Sequence, residues 1–166
     1  MSGERVNPNS VDGVVDGTPE DDNINLAYTG DPEGDMIDAG DAILDGAAPD
    51  DDVVLAGEGN DTVTAGVGDD IIWGNDGDDY LDGGTGNDSI SGGAGADTLI
   101  GGDGEDTLEG GGDNDTLLGG AGDDVLFSYS SPTGTTYNTL DGGDGYDMAY
   151  LYARHETPGA WTVDTT

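Results

Sequence analysis

The stretch from Ala56 to Phe127 divides into eight segments of nine residues, AGEGNDTVT, AGVGDDIIW, GNDGDDYLD, GGTGNDSIS, GGAGADTLI, GGDGEDTLE, GGGDNDTLL and GGAGDDVLF. We number the positions of each segment 1 to 9, and their consensus is Gly-Gly-x-Gly-x-Asp-x-U-x, in which U is a large aliphatic residue. Position 6 is aspartate in all eight segments, with no insertion or deletion between them. A fixed period of this kind indicates a repeat architecture, in which each unit packs only on its neighbours.

The residue types in one segment predict a tight loop followed by a short strand. Three glycines in six residues suit a loop with positive φ angles and close backbone contacts. Asn75 and Asp113 replace glycine at positions 2 and 4, and Asn and Asp are the residues that best tolerate the left-handed region. The x-U-x portion places one apolar side chain between two outward ones, as alternation along a strand requires.

The charge of the chain indicates a cationic partner. The sequence of 166 residues has 38 acidic and two basic residues, and its net charge is −36. Such a balance, with only 33% hydrophobic residues, is typical of a disordered chain unless the carboxylates are neutralised. Nucleic acid and anionic membranes have the wrong charge for this role. A divalent cation is the simplest candidate.

Several classes of protein are excluded by what the sequence lacks. It has no cysteine, so neither disulfides nor thiolate metal sites are expected. The N-terminal residues show no basic region followed by an apolar one, and we expect no cleaved signal peptide. No apolar run has the length of a transmembrane segment. These features are compatible with a cytosolic protein, with a piece of a longer protein, or with export that needs no N-terminal signal.

Four regions follow from where the period begins and ends. We expect a flexible lead-in at 1–16, an irregular N-terminal cap with degraded repeats at 17–55, the regular repeats at 56–127, and a C-terminal cap at 128–166. In the N-terminal cap, two weak copies place Asp22 and Asp35 at position 6. In the C-terminal cap, we expect a loop or short hairpin at 128–141, one further repeat at 142–150 with Asp147 at position 6, and strands at 148–153 and 160–165.

This nonapeptide resembles the RTX repeat family, also called haemolysin-type calcium-binding repeats, strongly over about half of the chain. The resemblance implies an all-β fold, a right-handed parallel β-roll (a β-solenoid, or parallel β-helix). Each nonapeptide would form half a turn, with a six-residue loop and a three-residue strand. Loops eighteen residues apart would then stack on the same side of the roll.

The resemblance also implies calcium sites between stacked loops, formed by position-6 carboxylates and loop carbonyl groups. Calcium accepts six to eight oxygen ligands, and we expect about six or more ions. The implied carboxylate ligands are Asp52, Asp61, Asp70, Asp79, Asp88, Asp97, Asp106, Asp115 and Asp124. The implied glycine ligands are Gly59, Gly68, Gly77, Gly84, Gly86, Gly93, Gly95, Gly102, Gly104, Gly111, Gly120 and Gly122.

Other readings of the acidic residues are weaker. A turn-forming role for aspartate explains an excess of the residue but not its presence at position 6 of every segment. The Asp-x-Asp-x-Asp-Gly pattern of an EF-hand is absent. We expect the position-5 acids, such as Asp69 and Asp78, to face solvent. His155 is the only histidine, so the sequence predicts no serine–histidine–aspartate site and no enzyme activity.

The predicted function is a calcium-binding module that folds on binding Ca²⁺ outside the cell, as part of a bacterial protein exported by type I secretion. Its location would be secreted or cell-surface, and its partners calcium, a type I secretion channel and a neighbouring domain. The oligomeric state stays open. One alternative is a calcium-rigidified module for adhesion, glycan or ice binding. Another is the accessory domain of a secreted protease or lipase of this family.

Overall fold

The computed structural model describes residues 15–18, 20–25, 51–129, 136–152 and 162–164, the last of these for the backbone only. Every regular element in these ranges is a β-strand. The strands are β1 (Val15–Asp16), β2 (Asn23–Ile24), β3 (Val53–Glu58), β4 (Thr62–Val67), β5 (Ile71–Asp76), β6 (Tyr80–Thr85), β7 (Ser89–Ala94), β8 (Thr98–Asp103), β9 (Thr107–Gly112), β10 (Thr116–Ala121), β11 (Val125–Tyr129), β12 (Thr139–Asp144), β13 (Met148–Tyr152) and β14 (Thr162–Asp164).

Successive strands alternate between two parallel sheets. The odd-numbered strands form one sheet in the order β1-β3-β5-β7-β9-β11-β13, and the even-numbered strands form the other in the order β2 to β14. Each strand therefore pairs with the strand two places along the chain, and one turn of the solenoid contains two strands. In the regular repeats this places residues eighteen apart in register, as Leu81 with Leu99. The predicted all-β parallel roll is confirmed.

The strands are longer than expected. Each strand from β3 to β10 covers positions 7 to 9 of one segment and positions 1 to 3 of the next, six residues rather than the three that were predicted. A bend that begins at position 4 separates the strand from the following aspartate. The pairing register passes over position 1: Asp82 pairs with Ile100 and Gly84 pairs with Gly102, while Gly83 and Gly101 are skipped. The glycine-rich half of the repeat thus belongs partly to the sheets.

The core is a double row of position-8 side chains between the sheets. In the regular repeats these side chains are almost completely removed from solvent; they are Val63, Ile72, Leu81, Ile90, Leu99, Leu108, Leu117 and Leu126. Each nine-residue unit buries little else that is apolar. A fully buried aliphatic side chain contributes about 1.5–3 kcal/mol, so the hydrophobic effect alone gives each unit little stability.

The roll extends beyond both ends of the regular repeats. Asp22 and Ile24 occupy the predicted positions 6 and 8, because Ile24 pairs with Val63. Val15 and Asp16 form strand β1 and pair with β3, although the sequence placed them in a lead-in. The rest of that lead-in, and the weak copy containing Asp35, lie outside the described residues.

At the C-terminal end, the loop or short hairpin expected at 128–141 is not a hairpin, because the strands at its two ends lie in different sheets. Ser128 and Tyr129 continue strand β11 in one sheet, and Thr139 begins β12 in the other. The chain thus passes from one sheet to the other between them, and residues 130–135 lie outside the described residues. The two predicted terminal strands are present as β13 and β14, paired with β11 and β12. Their connecting turn lies outside the described residues.

Candidate metal centre between stacked turns

The position-6 aspartates form two buried rows, one along each edge where the chain passes between the sheets. We call them the first rank (Asp61, Asp79, Asp97 and Asp115) and the second rank (Asp52, Asp70, Asp88, Asp106 and Asp124). All nine side chains are at most 3% exposed. The stacking of loops eighteen residues apart is therefore confirmed.

Within each rank, one carboxylate oxygen connects successive turns. The backbone N–H of Asp79 donates to Oδ1 of Asp97 at 2.9 Å, and the N–H of Asp88 donates to Oδ1 of Asp106 at 2.8 Å. The same bond joins every pair of successive aspartates in both ranks. One oxygen of each acceptor carboxylate is thus held in place by the preceding turn.

The second carboxylate oxygen has no comparable partner. In the part of the chain that the structure describes, Oδ2 is buried and accepts no hydrogen bond in Asp61, Asp79, Asp88, Asp97, Asp106, Asp115 and Asp124. A buried anionic oxygen without a partner is costly. A regular row of such atoms indicates a missing positive charge at each turn.

Beside each of these oxygens except that of Asp61, a small space is kept open by the glycine at position 1. A Cβ added to Gly92 would lie 2.4 Å from Oδ2 of Asp97 and 2.7 Å from the carbonyl oxygen of Gly110. We call this space a cradle: it is bounded by the position-1 Cα, the Oδ2 of the same segment and the position-1 carbonyl oxygen of the next turn. The same arrangement recurs at Gly74, Gly101 and Gly119.

Burial and mutual repulsion act on the ionisation of these carboxylates. Burial, with a smaller contribution from neighbouring carboxylates, raises the pKa of Asp88 and of Asp115 to about 7. The same causes raise the pKa of Asp61, Asp97 and Asp124 to about 6, against the lowering effect of their backbone hydrogen bonds. The folded roll therefore resists full ionisation at neutral pH unless a cation compensates.

The donor set fits a hard divalent cation. Each cradle presents carboxylate and carbonyl oxygens only, which are the ligands that calcium prefers. Among the described residues, no point gathers three or more His, Cys, Asp or Glu side chains. A cation between two turns would therefore depend on backbone carbonyl groups as well as aspartates, which excludes the thiolate and imidazole sites typical of zinc.

Comparison with known families agrees with this geometry. The model of the RTX calcium-binding nonapeptide repeat matches in four copies, at residues 47–81, 55–90, 73–108 and 91–126. Residues 47–126 of the chain are therefore similar to the RTX repeat family. The RTX match covers just under half of the chain and ends one residue before Phe127. Searches among curated proteins and among solved structures gave no significant match.

The glycines predicted as calcium ligands have a visible backbone role in this roll. At positions 2 and 4 they have positive φ, for example 108° at Gly84 and 127° at Gly86. A Cβ on Gly86 would lie 1.8 Å from the carbonyl oxygen of Gly68 in the turn below, so these glycines allow the turns to stack. Asn75 and Asp113 also have positive φ, as their positions predicted. Calcium ligation by the carbonyl groups at positions 2 and 4 stays a prediction.

Sequence reasoning missed the role of position 1. The carbonyl oxygens that face Oδ2 include those of Gly92, Gly110, Gly119 and Gly142, none of which was among the predicted ligands. The available signal was that position 1 is glycine or alanine in all eight segments. The two alanines, Ala56 and Ala65, are buried, and they place a methyl group at position 1 in the segments of Asp61 and Asp70.

The position-5 side chains also do more than face solvent. Asp78 Oδ1 accepts a hydrogen bond from the N–H of Ala96 at 2.8 Å, and Asp69 Oδ1 accepts one from Asn87 at 2.7 Å. These exposed bonds run from the later turn to the earlier one, opposite to the bonds of the buried ranks. We call this exposed series the outer ladder.

Proposed function

We propose that this chain is a calcium-dependent folding module of a secreted or cell-surface protein, without enzymatic activity of its own. RTX repeats are calcium-binding repeats, and they form a parallel β-roll in this chain. The buried, unpartnered Oδ2 atoms of seven aspartates in the two ranks carry the proposal; they belong to Asp61, Asp79, Asp88, Asp97, Asp106, Asp115 and Asp124. The proposed ligands are the aspartates of the two ranks, the position-1 carbonyl groups of the cradles, and the glycine carbonyls at positions 2 and 4.

Folding would be coupled to binding because the roll has little else to stabilise it. Each unit buries one aliphatic side chain, whereas ordering its nine residues has a large entropic cost. When bound, calcium supplies the charge that the buried carboxylates lack. The net charge of −36 keeps the unfolded chain soluble and extended.

Extracellular function follows from the calcium supply. Extracellular modules use weak sites, with dissociation constants of about 10⁻⁴ to 10⁻³ M, and such sites would stay empty in the cytosol. A module of this kind would pass a secretion channel unfolded and fold outside the cell. The channel and a neighbouring domain are the proposed partners. Among the described residues, no helix has the length and apolar character needed to cross a membrane.

A calcium titration tests the proposal. Circular dichroism of the chain in EGTA should show a largely unfolded spectrum, and added calcium should produce a β spectrum. Magnesium at the same concentration is the matched control, because it demands a smaller, octahedral site and dehydrates reluctantly. A β spectrum that is unchanged by EGTA would contradict calcium-dependent folding.

One observation favours a second candidate, a calcium-rigidified recognition module. Four aromatic side chains form a patch on β11 and β13, where Phe127 stacks on Tyr150 at 5.1 Å and Tyr129 on Tyr152 at 5.0 Å between ring centroids. Tyr150 and Tyr152 are more than 40% exposed. Aromatic rings that are apolar on their faces and polar at one end are suited to binding surfaces. Glycan-array binding in calcium, lost in a Tyr150→Ala/Tyr152→Ala variant that still folds, would support this candidate.

A further inference from the structure

The row of position-6 side chains continues beyond the first rank at both ends, and the flanking side chains have different hydrogen-bond partners. At the N-terminal end, the N–H of Asp22 donates to Oδ1 of Asp61 at 2.7 Å. At the C-terminal end, the N–H of Asp115 donates to Oδ1 of Asn138 at 2.8 Å. Asp22 and Asn138 therefore occupy position 6 of the half-turns that flank the rank. Asn138 lies beyond the matched repeats.

The C-terminal flanking half-turn has no open cradle. Ser128 follows Phe127 as Gly119 follows Leu118, so it holds position 1 of the half-turn that contains Asn138. In the regular segments a Cβ at this position would lie within about 2.5 Å of the aspartate Oδ2, as at Gly83 and Gly110. Ser128 has a Cβ and is completely buried. Its side chain lies in the volume that glycine leaves open elsewhere.

This half-turn also has a hydrogen-bond donor where the regular segments have an acceptor. Because Asn138 Oδ1 accepts the N–H of Asp115, the amide nitrogen holds the place of the unpartnered Oδ2 of the regular segments. Nδ2 donates to Ser128 Oγ at 2.5 Å and to the carbonyl oxygen of Tyr129 at 3.2 Å. An amide nitrogen is a donor and cannot ligate a cation. Asn138 is 3% exposed, so a carboxylate here would be a buried charge without compensation.

In the N-terminal flanking half-turn, Thr18 partners the carboxylate oxygen of Asp22 that is unpartnered in the regular segments. Oδ2 of Asp22 accepts hydrogen bonds from the backbone N–H of Thr18 at 2.7 Å and from the Thr18 hydroxyl at 2.9 Å. In the described half-turns between these two ends, at Asp61, Asp79, Asp97 and Asp115, Oδ2 accepts no hydrogen bond. At the N-terminal end, hydrogen bonds from Thr18 thus replace the missing positive charge, and at the C-terminal end the neutral amide of Asn138 removes the need for one.

The second rank ends differently. Asp147 accepts the N–H of Asp124 at 3.0 Å, as Asn138 does for Asp115. It remains a carboxylate and is exposed to solvent, where its charge is hydrated. The cradle of Asp124 is open and is completed by the carbonyl oxygen of Gly142, which lies 2.5 Å from a Cβ added to Gly119.

We propose that the Thr18–Asp22 and Ser128–Asn138 pairs are metal-free caps that confine calcium in the first rank to the open cradles between them, those of Asp79, Asp97 and Asp115. This inference rests on the proposed calcium binding. The Ser128–Asn138 cap lies inside the roll, because Ser128 pairs in register with Leu151 of β13. Space and charge, rather than the end of the solenoid, close the rank.

The test restores both features together. In the full chain, a Ser128→Gly/Asn138→Asp variant recreates the open space and the carboxylate, and it should bind one more calcium ion than the unmodified protein in isothermal titration calorimetry and native mass spectrometry. Ser128→Gly alone is the matched control, which keeps the amide and should bind the unmodified number. An unchanged number in the double variant, with a normal β spectrum at saturating calcium, would overturn the inference.

A crystal of the unmodified protein grown with calcium covers the case in which the double variant does not fold. Anomalous peaks should lie beside Asp79, Asp97 and Asp115, and none between Ser128 and Asn138. A peak between Ser128 and Asn138 overturns the metal-free cap alone. Absence of calcium from both ranks overturns the calcium-binding function and, with it, this inference.

Discussion

The outer ladder and the buried ranks lie side by side along the roll and use the same hydrogen bond, from a backbone N–H to a side-chain oxygen one turn away. Asp78 and Asp79 illustrate both: the first is exposed and accepts the N–H of Ala96, and the second is 3% exposed and accepts the N–H of Asp61. Water can solvate the free oxygen of Asp78 but not that of Asp79. The difference shows that burial, rather than aspartate itself, creates the need for a cation.

The sequence of each row reflects this difference. Position 5, in the outer ladder, is Asn at 60, 87 and 114 and Ala at 96, whereas position 6 is aspartate in every regular segment. An exposed acceptor can be neutral, or absent, at small cost. A buried carboxylate that is to bind calcium needs its charge and both of its oxygens.

Among substitutions in the two rows, Asp97→Ala is expected to have the largest effect on calcium binding. The change removes Oδ2 from one cradle and also removes the Oδ1 that fixes the turn of Asp79. The variant should therefore lose about two calcium ions, from the sites on either side of Asp97, while the second rank through Asp88 and Asp106 is retained. Anomalous scattering from crystals of the variant measures the occupancy of each rank. Equal loss from both ranks would show that the ranks are not separate.

Acidification should partly replace calcium. The pKa of Asp88 and of Asp115 is raised to about 7 in the metal-free roll, from an ordinary value of 3.8. A raised carboxyl pKa means that the folded state binds protons more tightly than the unfolded chain, so stability increases as the pH falls from above 7 towards about 4. In EGTA, the β signal in circular dichroism should grow over this range. A signal that decreases steadily with acid contradicts the assignment of buried charge as the destabilising factor.

Gly92→Ala should weaken one calcium site without changing any charge. The added methyl group enters the cradle beside Asp97 Oδ2 and the carbonyl of Gly110. We expect at least a tenfold loss of affinity at that site, or about 1.4 kcal/mol, measured by calorimetry. Gly112→Ala is the matched control, because the nearest atom to its added Cβ, outside its chain neighbours, is 3.9 Å away. An equal loss of calcium affinity in the two variants would contradict a special role of position 1.

The smallest effect is expected from Asp78→Ala in the outer ladder. The variant loses one exposed hydrogen bond to the turn of Asp97, a loss of about 0.5–1.5 kcal/mol in the free energy of unfolding. The number of bound calcium ions should not change. Asp78→Asn keeps the acceptor oxygen and should retain the stability at saturating calcium. A change in calcium number in Asp78→Ala would place the outer ladder among the ligands.

Much of this architecture could be predicted from the repeat. Gly-rich loops and one aliphatic residue per segment determine a thin two-sheet roll, and the predicted position-8 residues, such as Ile72 and Leu99, are its core. The pairing of residues eighteen apart follows from half a turn per segment. Strand length was underestimated because glycine has a low strand propensity, although stacked glycine backbones pair well when no side chain separates them.

The half-turn at Ser128 to Asn138 could not be found from the period. It has serine where the pattern has glycine, asparagine where the pattern has aspartate, and five additional residues that put Asn138 twenty-three residues after Asp115. All three departures remove the signal that defines a segment. Position 1 was misinterpreted for another reason: a glycine selected for the space beside a neighbouring carboxylate looks, in sequence, like one selected for its φ angle.

The arrangement of forces in the roll has a mechanical consequence. Backbone pairing, the outer ladder and the aspartate bonds all join one turn to the next, along the long axis of the solenoid. Across the short axis, the two sheets are held together by the row of aliphatic side chains that includes Ile90 and Leu99 and by the covalent bends at each edge. The calcium-loaded roll should therefore behave as an anisotropic rod, which resists stretching along its axis more strongly than compression of one sheet against the other.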